Sequence, residues 1–367
     1  MITHIPRKRT ALVVRAWTLA PLACVLSLAA APLRAQDAPL PPVTVGAGVQ
    51  TSFVHDVPKG ADSTDSFLLN SVRLYVNGSP AKKIKFMFNT EYDGVGNHLT
   101  VLDAAAQFAV SDRVNFWVGR MLPPSDRANL YGPYYAHHWA TFTDGVQDGY
   151  PFISAGRDNG ALYWGQFGIV KLSAGAFDGV SATGTRKLIG AGRVQLDFWD
   201  PEPGYYLNGT FYGEKNILAV AAAGQVQDGA AGHGTSKAYS GDFLLERKLA
   251  GGGAVSVEAE AAKYDRLGGY NARYGTDQGG YVLGSYLFPP AAGMTGRLEI
   301  LGKFARASFR HGLAVVDRDY DQKTTEVNFN YVIKDFNARV MLFYLQKNFS
   351  AVQPNDKQVG IGFQVQM

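Results

Sequence analysis

Positively charged side chains in one stretch of the sequence indicate a chemistry directed at anions. Arg120, Arg127 and Arg157 lie within or beside the stretch 122–157. A guanidinium group stays charged and offers paired hydrogen-bond donors, which suit oxyanions such as phosphate. The same part of the chain carries carboxylates that could bind these arginines instead: Asp126, Asp144, Asp148 and Asp158. Two interpretations stay open, direct contact of the arginines with anions and a structural role in which the aspartates anchor this stretch.

Other residues with chemical potential occur in less specific patterns. His137 and His138 are adjacent, but no third ligand stands at a spacing typical of a metal site, so we interpret them as surface histidines. The acidic segment 317–321 lacks the glycine and the terminal glutamate of a calcium loop. No serine stands beside a histidine in a recognisable nucleophile pattern. We therefore predict no catalytic residue, no metal and no cofactor.

The elements that would position these side chains are strands of alternating polarity. In the last segment of the chain, apolar residues occupy the odd positions from Val359 to Met367, and glycine or glutamine occupies the even ones. Similar alternation recurs around 84–88, 255–261 and 327–333. Segments of about ten residues with one apolar and one polar face are typical of strands that cross a membrane in a barrel. No apolar run after residue 35 reaches the roughly 18 residues that a spanning helix needs.

The pattern predicts an all-β fold, a transmembrane antiparallel β-barrel with sixteen strands. An even number agrees with the parity of barrels built from one chain. The predicted strands are 43–54, 67–77, 83–92, 99–109, 114–121, 158–166, 169–177, 189–199, 216–226, 237–248, 253–265, 279–288, 296–306, 323–332, 335–346 and 357–366.

The connections between these strands alternate between short and long. Tight turns at 111–113, 165–168, 250–252 and 334–335 fall on one side, and long loops at 55–66, 122–157, 266–278, 307–322 and 347–356 fall on the other. A further strand at 205–213 would reverse this order, so we interpret 200–215 as an extended periplasmic connection. The longest loop, 122–157, is predicted to fold into the lumen, because a wide lumen needs a segment to narrow it.

The beginning of the chain has the pattern of an export signal. Basic residues between Arg7 and Arg15 precede an apolar run from Ala16 to Ala31. We predict a signal peptide at 1–35, a short periplasmic segment at 36–42 and the barrel at 43–367. Cleavage would remove five of 35 basic residues and leave 30 against 31 acidic ones, a net charge of −1 that gives no argument for nucleic-acid binding. Lipidation at Cys24 is an alternative, although Cys24 lies inside the apolar run.

The predicted lumen carries charges of both signs. Alternation directs Arg73, Lys83 and Lys85 inward and makes them further candidates for contact with anions, and it directs Arg297 and Lys303 inward as well. The same rule directs several glutamates inward: Glu91, Glu258, Glu260, Glu299 and Glu326. Mixed charges favour weak selectivity.

Two short motifs resemble the phosphate-selective porin O and P family. They are Gly119-Arg120-Met121-Leu122-Pro123 and Gly156-Arg157-Asp158-Asn159-Gly160; the segments Phe198–Tyr206 and Gly213–Leu218 also look like porins of that group. The resemblance implies a sixteen-stranded barrel, a homotrimer, a third loop that lines the constriction, and basic side chains that guide anions. Arg120 and Arg157 occupy the matching motif positions, and Arg127 lies nearby.

The function predicted from these observations is passive diffusion of small hydrophilic solutes across a bacterial outer membrane, with a possible preference for anions or phosphate. The partners expected are those solutes, outer-membrane lipid and two further copies of the chain. An adhesin or scaffold barrel without transport is the main alternative, and an outer-membrane hydrolase is a more distant one.

Overall fold

The chain forms a closed antiparallel barrel in the computed structural model, which describes residues 42–140, 156–179, 187–228, 235–265, 276–310, 319–351 and 354–367. Each strand pairs with its neighbours in sequence, and β1 closes the sheet on β16. The strands are β1 (Val43–Asp56), β2 (Thr64–Ala81), β3 (Ile84–Asp93), β4 (His98–Ser111), β5 (Val114–Met121), β6 (Asp158–Phe167), β7 (Val170–Phe177), β8 (Ile189–Asp197), β9 (Ile217–Gln227), β10 (Ser236–Lys248), β11 (Ala254–Asp265), β12 (Thr276–Leu287), β13 (Arg297–Arg310), β14 (Tyr320–Lys334), β15 (Ala338–Phe349) and β16 (Asp356–Gln366).

The sixteen predicted strands are confirmed one by one, with ends that shift by a few residues. The predicted signal peptide, 1–35, and residues 36–41 lie outside the described residues, so the export signal stays a prediction. Among the described residues, no helix is both long and apolar enough to cross a membrane.

The two faces of the strands have opposite polarity. On β16, Phe363 and Val365 are 41% and 62% exposed on the outer face, whereas Gln364 and Gln366 are buried in the lumen. On β13, Ile300 and Phe304 point outward while Glu299 and Lys303 are buried inside. Apolar residues outside and charged residues inside are the reverse of a soluble fold, and this arrangement suits a barrel surrounded by lipid.

The connections also follow the predicted alternation. The predicted tight turns lie at one rim of the barrel, where they follow β4, β6, β10 and β14. We call this rim the short-turn end. The predicted long loops lie at the other rim, which we call the long-loop end. The segment 205–213 is not a strand, as predicted.

The interpretation of 200–215 as an extended connection and not a strand is confirmed, but the segment does not stay at the rim of the barrel. Tyr205, Leu207 and Tyr212 are 4%, 3% and 2% exposed, because the segment turns back into the lumen after a run rich in proline and glycine. Glu246 of β10 holds it there by accepting hydrogen bonds from the Thr210 hydroxyl and from the backbone N–H groups of Phe211 and Gly213, at 2.7–2.8 Å. We call residues 200–215 the inner connection.

The long loop after β5 folds inward, as predicted, and contains a helix that the alternation did not indicate. Helix α1 (Arg127–Tyr131) is followed by a 3-10 turn (Pro133–Tyr135). The carboxylate of Asp126 accepts a hydrogen bond from the Asn129 backbone N–H at 2.7 Å and so caps the first turn of the helix. We call residues 122–140 the lumen loop.

Two glycines of the wall leave room for this loop. A Cβ added to Gly362 would lie 2.3 Å from the Trp139 ring, and one added to Gly48 would lie 2.6 Å from Tyr134. Trp139 in turn stacks on Phe343, with ring centroids 5.4 Å apart. The wall and the lumen loop are therefore fitted to each other.

The substitution Gly362→Leu should displace Trp139 and lower the free energy of unfolding by about 1–3 kcal/mol, the usual effect of overpacking. Urea unfolding of the refolded barrel, followed by near-ultraviolet circular dichroism, measures both effects. The matched control is Gly302→Leu, since a Cβ at Gly302 meets no atom within 4 Å. Equal stability of the two variants would show that Trp139 does not pack against this strand.

Candidate pore and constriction

The lumen loop is fixed to the barrel by buried charges. Arg127 is 0% exposed; Nη1 donates to Glu202 Oε1 at 3.0 Å, Nη2 donates to Glu202 Oε2, and Nε lies 3.5 Å from Asp242 Oδ1. Arg193 of β8 also binds Asp242 and donates to the Ser125 backbone carbonyl at 3.0 Å. The loop, the inner connection and two strands thus meet in one ionic cluster.

Further along the loop, carboxylates of β11 accept hydrogen bonds from helix α1. The Ala128 backbone N–H donates to Glu260 at 3.3 Å, and the Tyr131 hydroxyl donates to Glu258 at 2.9 Å. Burial in this region is the main cause that raises the pKa of Asp126 to about 7, and the nearby charge of Asp242 contributes to the same rise. Lumen glutamates predicted by alternation therefore serve to bind the loop.

The raised pKa of Asp126 has a consequence for stability. A carboxyl whose folded pKa exceeds its unfolded value contributes stability below the unfolded pKa and loses it as pH rises through the folded one. The variant Asp126→Asn keeps a residue suited to capping. We expect the free energy of unfolding of the variant to increase relative to that of the parent protein between pH 4 and about pH 7, and the difference to level off above pH 7. Urea unfolding at several pH values measures this, and a constant difference would contradict it.

The interpretation of His137 and His138 as surface histidines is wrong. They are 0% and 1% exposed, with His137 Nδ1 3.2 Å from Glu299 and His138 Nδ1 3.6 Å from Glu326. Burial opposes protonation of His137, but the hydrogen bond and charge of Glu299 outweigh it and raise the pKa; burial lowers the pKa of His138. The two rings occupy the lumen because the loop carries them there.

The end of the loop is bound to the strands that close the barrel. The backbone N–H groups of Trp139 and Ala140 donate to Glu326 at 2.9 and 3.0 Å. Arg339 of β15 donates to the backbone carbonyls of Ala136 and Tyr134. The loop consequently lies against β10–β16 and also reaches β1 and β2 through Tyr134.

An open space remains beside β1–β4. A cavity of about 540 Å³ extends there from the short-turn end, where Thr44 and Asn77 line it, toward the middle of the barrel. Its other wall is formed by Leu130, Tyr131 and Tyr135 of the lumen loop and by residues 206–208 of the inner connection. This cavity is the candidate route for solutes.

Two of the predicted arginines lie on this cavity. Arg73 donates from Nε to Glu91 Oε1 at 2.9 Å, and its guanidinium lies 4.5 Å from the centre of the Tyr134 ring. Arg157 Nε lies 3.3 Å from Asp103 Oδ1. Among the described residues, a carboxylate lies beside each of the two guanidinium groups, so this wall carries donors for an anion next to compensating negative charge.

The other predicted site residues lie elsewhere. Arg120 has the outward register of β5, level with Ala104 and Asn159, and donates to the Val101 backbone carbonyl at 2.9 Å; its assignment to the constriction is therefore wrong. Arg127 is buried in the ionic cluster, away from the cavity. Lys83 and Lys85 are exposed near the short-turn end of β3.

The two predicted anchoring aspartates that the structure describes accept hydrogen bonds from backbone N–H groups. Asp126 caps α1. Asp158 accepts hydrogen bonds from the backbone N–H groups of Asn159 and Gly179, at 2.8 and 2.7 Å. Asp144 and Asp148 lie outside the described residues. Arg157 is anchored, but by Asp103, which the sequence pattern did not single out.

A β-bulge explains why Asp103 was missed. The register of β4 shifts between Asn89↔Asp103 and Thr90↔Val101, so Leu102 is the extra residue. Leu99 and Val101 point outward before the bulge, whereas Asp103 points inward after it. Strict alternation from the start of β4 would place Asp103 on the lipid-facing side. A charged residue at an apolar position of the pattern is the sequence signal for a β-bulge that shifts the register.

Comparison with known proteins gives similarity in structure alone. No protein-family model matches the chain, and no curated protein matches it in sequence. The anion-selective porin from Comamonas acidovorans superimposes with a TM-score of 0.59 and 14% identity, covering 89% of this chain and 99% of that one. OprB of Pseudomonas putida gives 0.60 and 10% identity, covering 89% and 94%. OmpF of Salmonella typhi, solved with daunomycin, gives 0.58 and 13%, covering 89% and 98%.

At such low identity these similarities concern the fold. They extend over nearly the whole length of each solved barrel, in agreement with the strand order and closure described above. The sixteen-stranded barrel of this chain is therefore similar in fold to these porins.

Proposed function

We propose that this protein is a porin of a bacterial outer membrane through which small hydrophilic solutes diffuse passively. The observation that carries the proposal is the cavity of about 540 Å³ along β1–β4, which the lumen loop and the inner connection leave open inside a barrel with an apolar outer face. A segment that narrows a lumen without filling it sets an upper limit on solute size.

The proposal includes a modest preference for anions, with phosphate as one candidate. Arg73 and Arg157 supply guanidinium donors on the cavity wall, which suit oxyanions. The carboxylates of Glu91 and Asp103 beside them reduce the net positive charge, so selectivity should be weak. The resemblance of the motifs around Arg120 and Arg157 to the phosphate-selective porin O and P family supports this preference, as does the fold shared with an anion-selective porin.

We further propose that the protein assembles as a homotrimer and carries out transport without catalysis. OmpT of Vibrio cholerae, solved in a trimer form, has a TM-score of 0.53 and 12% identity to this chain, covering 89% of it and 99% of that chain. Sedimentation of the refolded protein in detergent measures the number of copies, and a monomer would contradict this part of the proposal.

Liposome swelling tests the passage of solutes. Vesicles that contain the refolded protein should swell in pentoses and swell much more slowly in large oligosaccharides, because the lumen loop limits the width of the route. Vesicles with protein denatured before reconstitution are the control. A correctly folded barrel that admits no solute of any size would contradict the proposed function.

A further inference from the structure

The outer wall carries a groove toward the long-loop end of β10–β13. The groove has a volume of about 640 Å³, and its lining includes Tyr239, Lys263 and Arg306. These side chains occupy the outward register, as shown by their exposure between buried inward neighbours. The groove is therefore separate from the lumen and from the proposed route for solutes. We call it the outer groove.

Small residues form the floor of the outer groove. Gly241, Ala261 and Gly280 are directly paired across three neighbouring strands, and the same row continues to Arg306 and then to Lys323 on β14. Because three adjacent positions carry at most a methyl group, the wall is depressed there, and the long side chains at its edges stand above the depression.

The groove has an excess of positive charge. Lys263, Arg306 and Lys323 are exposed at its edges. Among the described residues, the acidic groups close to them are Asp265, 3.6 Å from Lys263, and Asp321, which binds Arg310 at 2.7 Å and lies near Arg306. Four basic groups, Arg310 included, thus face two acidic ones.

The surface next to the groove, toward the middle of the barrel, is apolar. The next outward row consists of Phe243, Ala259, Val282 and Phe304, and the row after it includes Val257. Val282 and Phe304 are 50% and 49% exposed. A cationic depression at the long-loop end thus borders an apolar surface that lies deeper in the proposed membrane.

We infer that the outer groove binds the phosphate-bearing headgroup of a lipid. This inference rests on the proposed position of the barrel in an outer membrane. The phosphate would lie between Lys263, Arg306 and Lys323, and an acyl chain would run over Val282 and Phe304. Charge favours this occupant, because an excess of exposed cations attracts phosphate groups.

Lipid binding by the full-length refolded barrel in detergent tests the inference. The probe is bisphosphorylated lipid A, compared with its dephosphorylated form, and bound lipid is counted by native mass spectrometry. The test variant is Lys263→Gln, Arg306→Gln, Lys323→Gln. The matched control is Lys82→Gln, Lys83→Gln, Lys248→Gln, which removes the same charge from exposed positions near the short-turn end.

We expect the parent protein to bind the phosphorylated lipid. The amount bound should fall at least about tenfold in the test variant and stay unchanged in the control, because the test variant loses three positive charges that attract the lipid phosphates. Equal binding by both variants, or equal binding of the dephosphorylated lipid, would overturn the inference. Displacement by inorganic phosphate at the same concentration would assign the groove to free anions. Loss of assembly without loss of lipid would assign it to a second copy. Liposome swelling rates should stay unchanged in the test variant. Failure of the lipid-binding inference is therefore distinct from failure of the proposed porin function.

Discussion

The substitution Arg127→Gln should destabilise the folded barrel by about 3–5 kcal/mol, the usual cost of breaking a buried ion pair from one side. Arg127 is fully buried, and its removal leaves the carboxylates of Glu202 and Asp242 with less compensation. Arg193 still binds Asp242, so the loss is expected chiefly at Glu202. The lumen loop and the inner connection should both loosen.

Urea unfolding of the variant in detergent measures the change in free energy. The matched control is Arg310→Gln, since Arg310 and Asp321 form an exposed pair with 44% and 33% exposed side chains. An exposed pair contributes at most about 1 kcal/mol. If Arg127→Gln changed stability no more than the control does, the buried cluster would not be what fixes the loop.

Replacing both cavity arginines should change the ion preference of the channel. The double variant Arg73→Gln, Arg157→Gln leaves Glu91 and Asp103 without their cationic partners, so the wall becomes acidic. We expect the reversal potential in a potassium chloride gradient to shift toward that of a cation-selective channel. The opposite double variant, Glu91→Gln, Asp103→Asn, should shift it toward anions.

The control for this pair of experiments is Lys83→Gln, Lys85→Gln, which removes the same charge from the exposed short-turn end of β3. Its shift should be smaller, because charges near bulk water are screened by salt within about 8–10 Å. Folding is checked by the heat-dependent migration of the barrel on gels. Unchanged reversal potentials in both folded double variants would show that ions do not pass through the cavity along β1–β4.

The strand order was predictable from sequence because lipid imposes a strict rule on each strand. In a segment such as Val359–Met367, every second side chain meets lipid, so the alternation survives over the full length of the strand. The balance of short and long connections then decided against a strand at 205–213. That argument used parity and needed no knowledge of side-chain contacts.

The lumen was less predictable, because no periodic rule governs it. Asp103 faces inward through a bulge, a local irregularity that breaks the alternation. Arg120 keeps the outward register of Phe116 and Val118, and the motif resemblance that placed it in the constriction carries no information about the face on which a side chain lies. Arg127 binds Glu202 and Asp242, which both lie far from it in the sequence. Such pairs follow from the three-dimensional course of the loop.

The inner connection shows the same limit. Its prolines and glycine correctly indicated a break in strand structure, but they do not determine the side of the wall on which the chain continues. The aromatic residues Tyr205, Tyr206, Phe211 and Tyr212 were the available signal, because a connection exposed to water would not need four large rings in eight residues. They pack against the lumen loop and the barrel wall instead.

Single-channel recording in a planar bilayer tests the central claim most directly. Addition of the refolded protein should produce stepwise increases in conductance, and the open channels should show a weak preference for chloride over potassium. The steps should become larger or noisier with Arg127→Gln, because the lumen loop is then less firmly held. A folded and inserted barrel that gives no conductance steps, in either the parent or this variant, would contradict the claim that the lumen is a route for solutes.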